Sequence, residues 1–182
     1  MTDTLVGQLR EHVVVKPEHT VLSFLEDNGT SEKPLTIQSL DQQARTIGAA
    51  LQHLGATGER VLLVYPPGLD FIAGFFGCLY AGAVAVPAYP PRLNRPMPRI
   101  RSIVGNAEPT VVLTTTRIQA GMQKRLSDMP DLASRHWLAT DDGLQLANGD
   151  SALKGAIAQA NADDWMLPTL TGETLAFLQY TS

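Results

Sequence analysis

The chain has 182 residues, 44% of them hydrophobic and 18% charged, which is enough to bury a sizeable core in one domain. Its formal net charge of −4 excludes a general nucleic-acid binder, whose phosphate contacts need an excess of Lys and Arg. Cys78 is the only cysteine, so neither an intrachain disulfide nor a cysteine-based zinc site can form, which suits a reducing cytoplasm.

Residues 1–19 read as a short helix and a connector, with Leu5, Leu9 and Val13 near helical spacing and no basic, apolar secretory signal. Val21 to Glu26 is a strand candidate, followed by the turn-rich 27–31 and a second short strand over 34–37. The pair fits a hairpin at the domain edge. From Ser39 a helical period sets in, with Leu40, Ala44, Ile47, Ala50, Leu51 and Leu54 on one face and Gly55 as a stop. Asp41 and Arg45 lie one turn apart on it, a spacing that adds about 0.2–0.5 kcal/mol as a surface pair.

Arg60 to Tyr65 carries four adjacent aliphatics, the pattern of a central parallel strand covered on both faces. Pro66-Pro-Gly68 turns the chain into a helix over 71–81. No charge falls between Phe71 and Pro91, a stretch long enough to span a bilayer. Gly74, Gly77 and Gly82 divide it and Pro87, Pro90 and Pro91 end it, so it reads as a buried helix turning into a buried strand over 83–86. A Pro-rich segment precedes a helix over 98–106. Thr110 to Thr115 repeats the central-strand pattern, and a helix is expected over 117–127. His136 to Ala139 is a strand, 152–160 a helix and 174–180 the last strand. The alternation predicts an α/β fold, a mainly parallel sheet with flanking helices and right-handed crossovers.

Ligands of such sheets bind beyond the carboxyl ends of the strands. After Tyr65 a dinucleotide fold would place Gly-x-Gly-x-x-Gly, but this chain has two prolines and then Asp70, better suited to starting a helix. Beyond Val86, Arg92, Arg95, Arg99 and Arg101 are four arginines in ten residues. They could engage a phosphate, a carboxylate or an acidic partner, and a rigid solvated connector explains them equally well. Thr114-Thr-Thr116 suits a helix cap. His12, His19, His53 and His136 lack metal-ligand spacing, and Asp141-Asp142 and Asp163-Asp164 sit in turn-like surroundings. Cys78 reads as a small buried side chain. The aromatic residues of its helix suit core packing first and an acyl pocket second.

Three segments in order resemble the adenylate-forming enzymes. They are Leu35-Thr-Ile-Gln-Ser-Leu40, Gly77-Cys-Leu-Tyr-Ala-Gly-Ala-Val-Ala-Val-Pro87 and Leu175-Ala-Phe-Leu-Gln-Tyr-Thr-Ser182, with Ile37 in place of the usual aromatic. Tyr65-Pro-Pro-Gly-Leu-Asp-Phe71, Phe75-Phe-Gly-Cys-Leu-Tyr80 and Pro87-Ala-Tyr-Pro-Pro-Arg92 are similar, more narrowly, to the fatty acyl-AMP ligases.

That resemblance implies residues 20–182 as a partial N-terminal AMP-binding domain, expected to stop at the start of the phosphate loop. It implies ATP and Mg²⁺ in the complete enzyme, a fatty acid substrate and an acyl carrier protein as acceptor. Thr181 and Ser182 are the residues it places at the phosphates; it assigns no catalytic or metal-binding residue. The chain alone is expected to be inactive and to self-associate through an uncovered apolar face. An acyl-CoA ligase, a non-catalytic binding or assembly module, and an unrelated α/β binding domain remain open alternatives.

Overall fold

The structure, a computed structural model, describes residues 3–25, 32–90 and 97–181. Its centre is a five-stranded sheet built from β3 (Arg60–Val64), β4 (Val84–Ala88), β5 (Val111–Thr114), β6 (His136–Ala139) and β7 (Gln145–Leu146), in the order β4-β3-β5-β6-β7. The first four are parallel, and β7 returns antiparallel beside β6. The continuous aliphatic runs are therefore central strands. Val61, Leu62, Leu63 and Val64 are all fully buried, because each face of the sheet is covered.

Alternation along the strands divides the core into two layers. Val61, Leu63, Val111, Leu113 and Leu138 point to one side, against α2 (Ile37–His53), α3 (Leu69–Ala81) and α7 (Ser151–Gln159). Leu62, Val64, Val86, Val112 and Trp137 point to the other, against α4 (Pro98–Ala107), α5 (Thr116–Gln123) and the short α6 (Pro130–Ala133). The domain is thus an α/β/α sandwich.

Small residues set how closely α2 and α3 approach. A Cβ on Gly77 would stand 2.7 Å from Cβ of Ile47 and nearer still to its Cγ2, so only glycine fits at this crossing. At Gly82 the chain leaves α3 in the left-handed region (φ 69°), and β4 begins two residues later. This helix-to-strand passage is the uncharged stretch of the sequence. No helix among the described residues is long and apolar enough to cross a membrane.

Outside the sandwich, β1 (Thr20–Leu25) and β2 (Glu32–Thr36) pair antiparallel as the expected hairpin. α1 (Leu5–Val15), capped by the Thr4 hydroxyl, lays Val6 and Leu9 on a third cluster with Leu40, Ala44, Leu79 and Tyr80.

Three expectations change. Asp41 and Arg45 are not a surface pair: Asp41 is 1% exposed and receives Arg10, Arg45 and Tyr80 together. The helix expected over 117–127 ends at Gln123, and a single 3₁₀ turn covers Leu126–Asp128. Met129 after it leaves the helical region (φ −140°, ψ 68°), in keeping with the bar on α conformation before Pro130.

The third change concerns 174–180, which is no full strand. Only Ala85 and Phe177 form a parallel bridge, through Ala85 N–H to the Ala176 carbonyl at 3.0 Å and Leu178 N–H to the Ala85 carbonyl at 2.8 Å. The next rung would need an N–H from Pro87, which has none. At the other end, the Ala83 N–H is already committed to the Cys78 carbonyl at 2.9 Å.

Candidate functional site

A cleft of about 450 Å³ opens beyond the carboxyl ends of β3 and β4. Its walls include Tyr65 and Pro66 after β3, Phe71 and Phe75 on α3, Pro87 at the end of β4, and Phe177 on the segment beside it. An open parallel sheet presents its binding position at this end of its strands.

Tyr65 is the floor. Its ring is 4% exposed, and its hydroxyl bonds Thr140 Oγ1 at 2.9 Å, just past the end of β6. Burial raises its pKa well above the usual phenol range, with the Thr140 bond acting in the opposite direction. The ring fits because residue 74 is glycine: a Cβ there would lie 2.9 Å from the Tyr65 ring. The aromatic wall is continuous, with Phe75 lying 6.2 Å from Phe71 and meeting Phe177 edge-on at 5.7 Å between centroids.

Polar groups enter from the other wall. Arg99 on α4 lines the cleft and donates from Nη2 to the Tyr180 carbonyl at 3.2 Å. Asn106, on the same helix, accepts from the Tyr180 hydroxyl. Exposure alternates from Ala176 to Thr181, so Phe177, Gln179 and Thr181 share one side while Leu178 and Tyr180 pack against the α4 layer. Thr181 is exposed next to the cleft. Ser182, Arg92 and Arg95 lie outside the described residues.

Near the same end, Asp70 stands in the first turn of α3. Its pKa is raised, first by partial burial and then by the charge of Asp141, while Lys33 pulls it down. Asp141 itself accepts from the Thr116 backbone at 2.7 Å and from the Thr116 hydroxyl at 2.9 Å. Thr115 caps α5 as the sequence suggests, and Asp164 closes a capping box with Asn161. Cys78 is fully buried, where burial raises its thiol pKa. His12, His19 and His53 are exposed and do not line the cleft, and His136 begins β6 at the opposite end of the sheet.

The resemblance to adenylate-forming enzymes also implies Mg²⁺ in the complete enzyme. Among the described residues no group of three or more His, Cys, Asp or Glu side chains could hold a metal ion, so they form no all-protein cage for one.

Sequence reasoning missed the Tyr65–Thr140 bond and the Asn106 contact. The first joins residues that follow separate strands, 75 positions apart, and leaves no local signature. The second had one: Arg99, Ile103 and Asn106 follow i, i+4, i+7, a single stripe along α4.

Residues 9–182 match the family model described as AMP-binding enzyme. The chain is 35% identical over 98% of its length to the medium-chain-fatty-acid–[acyl-carrier-protein] ligase JamA of Moorena producens, and covers 28% of that protein. It is 31% identical over 98% of its length to the long-chain-fatty-acid–AMP ligase FadD23 of Mycobacterium tuberculosis, covering 29% of it. Among solved structures, the fatty acyl-adenylate ligase of L. pneumophila in complex with acyl adenylate and pyrophosphate superposes with a TM-score of 0.79 at 31% identity. That match covers 99% of this chain and 28% of that one. The chain therefore spans under a third of the length of these relatives. With three ordered motifs, the parallel sheet and a family match over nearly all its residues, the chain belongs to the AMP-binding enzyme family, and the relatives it resembles include fatty-acid-activating ligases.

Proposed function

We propose that this chain is the N-terminal part of a ligase that activates a fatty acid with ATP and passes the acyl group to a carrier protein. Residues 20–182 serve as the partial AMP-binding domain, preceded by the helix and connector of 1–19. In this reading a carboxylate oxygen attacks the α-phosphorus, its bond to the pyrophosphate oxygen breaks, and acyl-adenylate and pyrophosphate form. A carrier thiol then takes the acyl group, with AMP as the leaving group.

The observation that carries the reading is the position of Thr181. It emerges beside an aromatic-walled cleft at the carboxyl end of a parallel sheet, where phosphate and an apolar chain can be served side by side. Thr181 and Ser182 supply hydroxyls to the phosphates, and positioning with charge stabilisation is the chemistry such a site contributes. JamA is by name an acyl-carrier-protein ligase, which supports a carrier rather than coenzyme A as acceptor. A soluble, cytoplasmic setting belongs to the same proposal.

The test is fatty-acid-dependent exchange of pyrophosphate into ATP, measured on the 182-residue chain and on the product of the reading frame containing it. Exchange by the reading-frame product, and none by the chain alone, is expected. Turnover by the chain itself, or exchange that responds to amino acids but not fatty acids, overturns the reading. Thioester formation on coenzyme A in place of the carrier protein would overturn the acceptor.

A further inference from the structure

We propose that Arg99 and Asn106 are positioning residues of the candidate phosphate site, clamping Tyr180 from both ends and so holding Thr181 at the mouth of the cleft. The inference rests on the reading of Thr181 as a phosphate contact. It begins with a gap in the sheet. Parallel pairing fixes the chain at Ala176 to Leu178 and then stops, since Pro87 offers no N–H to the Leu178 carbonyl. The three residues that follow lead to the site without a ladder bond from β4.

Helix α4 supplies what the sheet cannot. Arg99 Nη2 donates to the Tyr180 carbonyl at 3.2 Å, fixing the main chain one residue before Thr181. The Tyr180 hydroxyl donates to Asn106 Oδ1, fixing the far end of the same side chain. Ile103 lies between the two on the same stripe, is 4% exposed and lines the cleft. One face of α4 thus runs along Tyr180 from carbonyl to phenol. The helix is itself anchored, with Ile100, Val104 and Ala107 in the core layer and Arg101 donating to the Asp128 carbonyl at 2.8 Å. A two-ended hold of this kind fixes both direction and rotation of the residue it grips, which one contact alone would leave free.

The first experiment needs no enzyme activity. Thr181→Cys provides a labelling site on the intact chain, because Cys78 is fully buried. A nitroxide attached there reports local motion. Arg99→Ala with Asn106→Leu is expected to increase the mobile fraction of the label by about twofold, and Asn106→Asp, which keeps the acceptor, to leave it unchanged. Equal mobility in all backgrounds, at unchanged melting temperature, overturns the clamp.

The second experiment uses exchange by the reading-frame product. Asn106→Leu and Tyr180→Phe are expected to raise KM for ATP about tenfold while moving KM for the fatty acid less than about twofold. Both constants rising together, or only the melting temperature falling, overturns a role at the phosphates. If the wild type shows no fatty-acid-dependent exchange, the functional reading fails on its own, and the label decides the clamp separately.

Discussion

The Tyr80 hydroxyl donates to Asp41 Oδ1 at 2.8 Å, and the two residues are 0% and 1% exposed where α2 meets α3. Arg10 of α1 reaches both carboxylate oxygens, at 3.1 and 3.2 Å, and Arg45 Nε reaches Oδ2 at 2.9 Å. Arg45 continues to the Ala162 carbonyl, and Trp165 donates to the Tyr80 carbonyl at 2.7 Å, its ring 5.6 Å from the Arg10 guanidinium. One buried carboxylate therefore ties α1, α2, α3 and the chain at Ala162 to Trp165 together. Removing it takes this carboxylate from Arg10 and leaves the mostly covered Arg45 with only the exposed Asp163, at 3.6 Å, among the pairs described. Asp41→Ala is expected to cost about 3 kcal/mol, and Tyr80→Phe about 1 kcal/mol, in urea unfolding. Equal midpoints for Asp41→Ala and wild type would remove the network as a stabilising element.

Alkaline pH acts on the same interior. Burial raises the pKa of Tyr80, with the Asp41 hydrogen bond and charge adding and the two arginines subtracting; burial also raises Tyr65 and Cys78. The native state holds these protons more tightly than the unfolded chain. Their stabilising contribution is full below the unfolded pKa and is lost as pH rises toward the folded one. Stability should fall from about pH 8.5, where the unfolded thiol ionises, and more steeply above about pH 10 with the phenols. Circular dichroism melts across that range check it, and Cys78→Ala should delay the onset.

Asp70 has the opposite sense for a carboxylate. Its raised pKa means that the charged form is disfavoured by folding, so ionisation at neutral pH weakens the native state. Asp70→Asn should raise the melting temperature at pH 7. The gain should vanish below about pH 4, where the unfolded carboxyl is protonated as well. A gain that persisted at pH 3 would refute the electrostatic cause.

Gly77→Ala should cost about 2–3 kcal/mol by forcing α2 and α3 apart. Ile47→Ala should not restore the loss, because the Ile47 Cβ is itself 2.7 Å from the new methyl group. Full rescue in the double variant would show that the crossing adjusts by side-chain movement alone.

The surface beyond the sandwich remains apolar. Val14 is 84% exposed, Leu25 61% and Val21 41%, across the end of α1 and the hairpin. Association at high concentration is expected, and Leu25→Lys with Val14→Glu should reduce it. Light scattering showing a monomer for the unsubstituted chain at several milligrams per millilitre would refute it.

Residues 60–65 and 110–115 were readable because burial on both faces of a strand writes itself as consecutive aliphatics, wherever the partners come from. The α2 stripe was readable for the same reason, its period being local. Asp41 was not. Its neighbour Arg45 is visible in sequence, but Arg10 and Tyr80 lie 31 and 39 residues away, and they turn a surface pair into a buried junction. The last strand failed through a residue nearly a hundred positions earlier: Pro87 withholds the N–H that residues 178–180 needed.

The sequence by itself determined the parallel sheet, the family and the closing Tyr180-Thr-Ser182 motif, because periodicity and short ordered motifs are local properties. Only the tertiary structure decided that Tyr65 floors a cleft and that α4 holds Tyr180. Those depend on hydrogen bonds between groups 75, 81 and 74 residues apart, which no local pattern records.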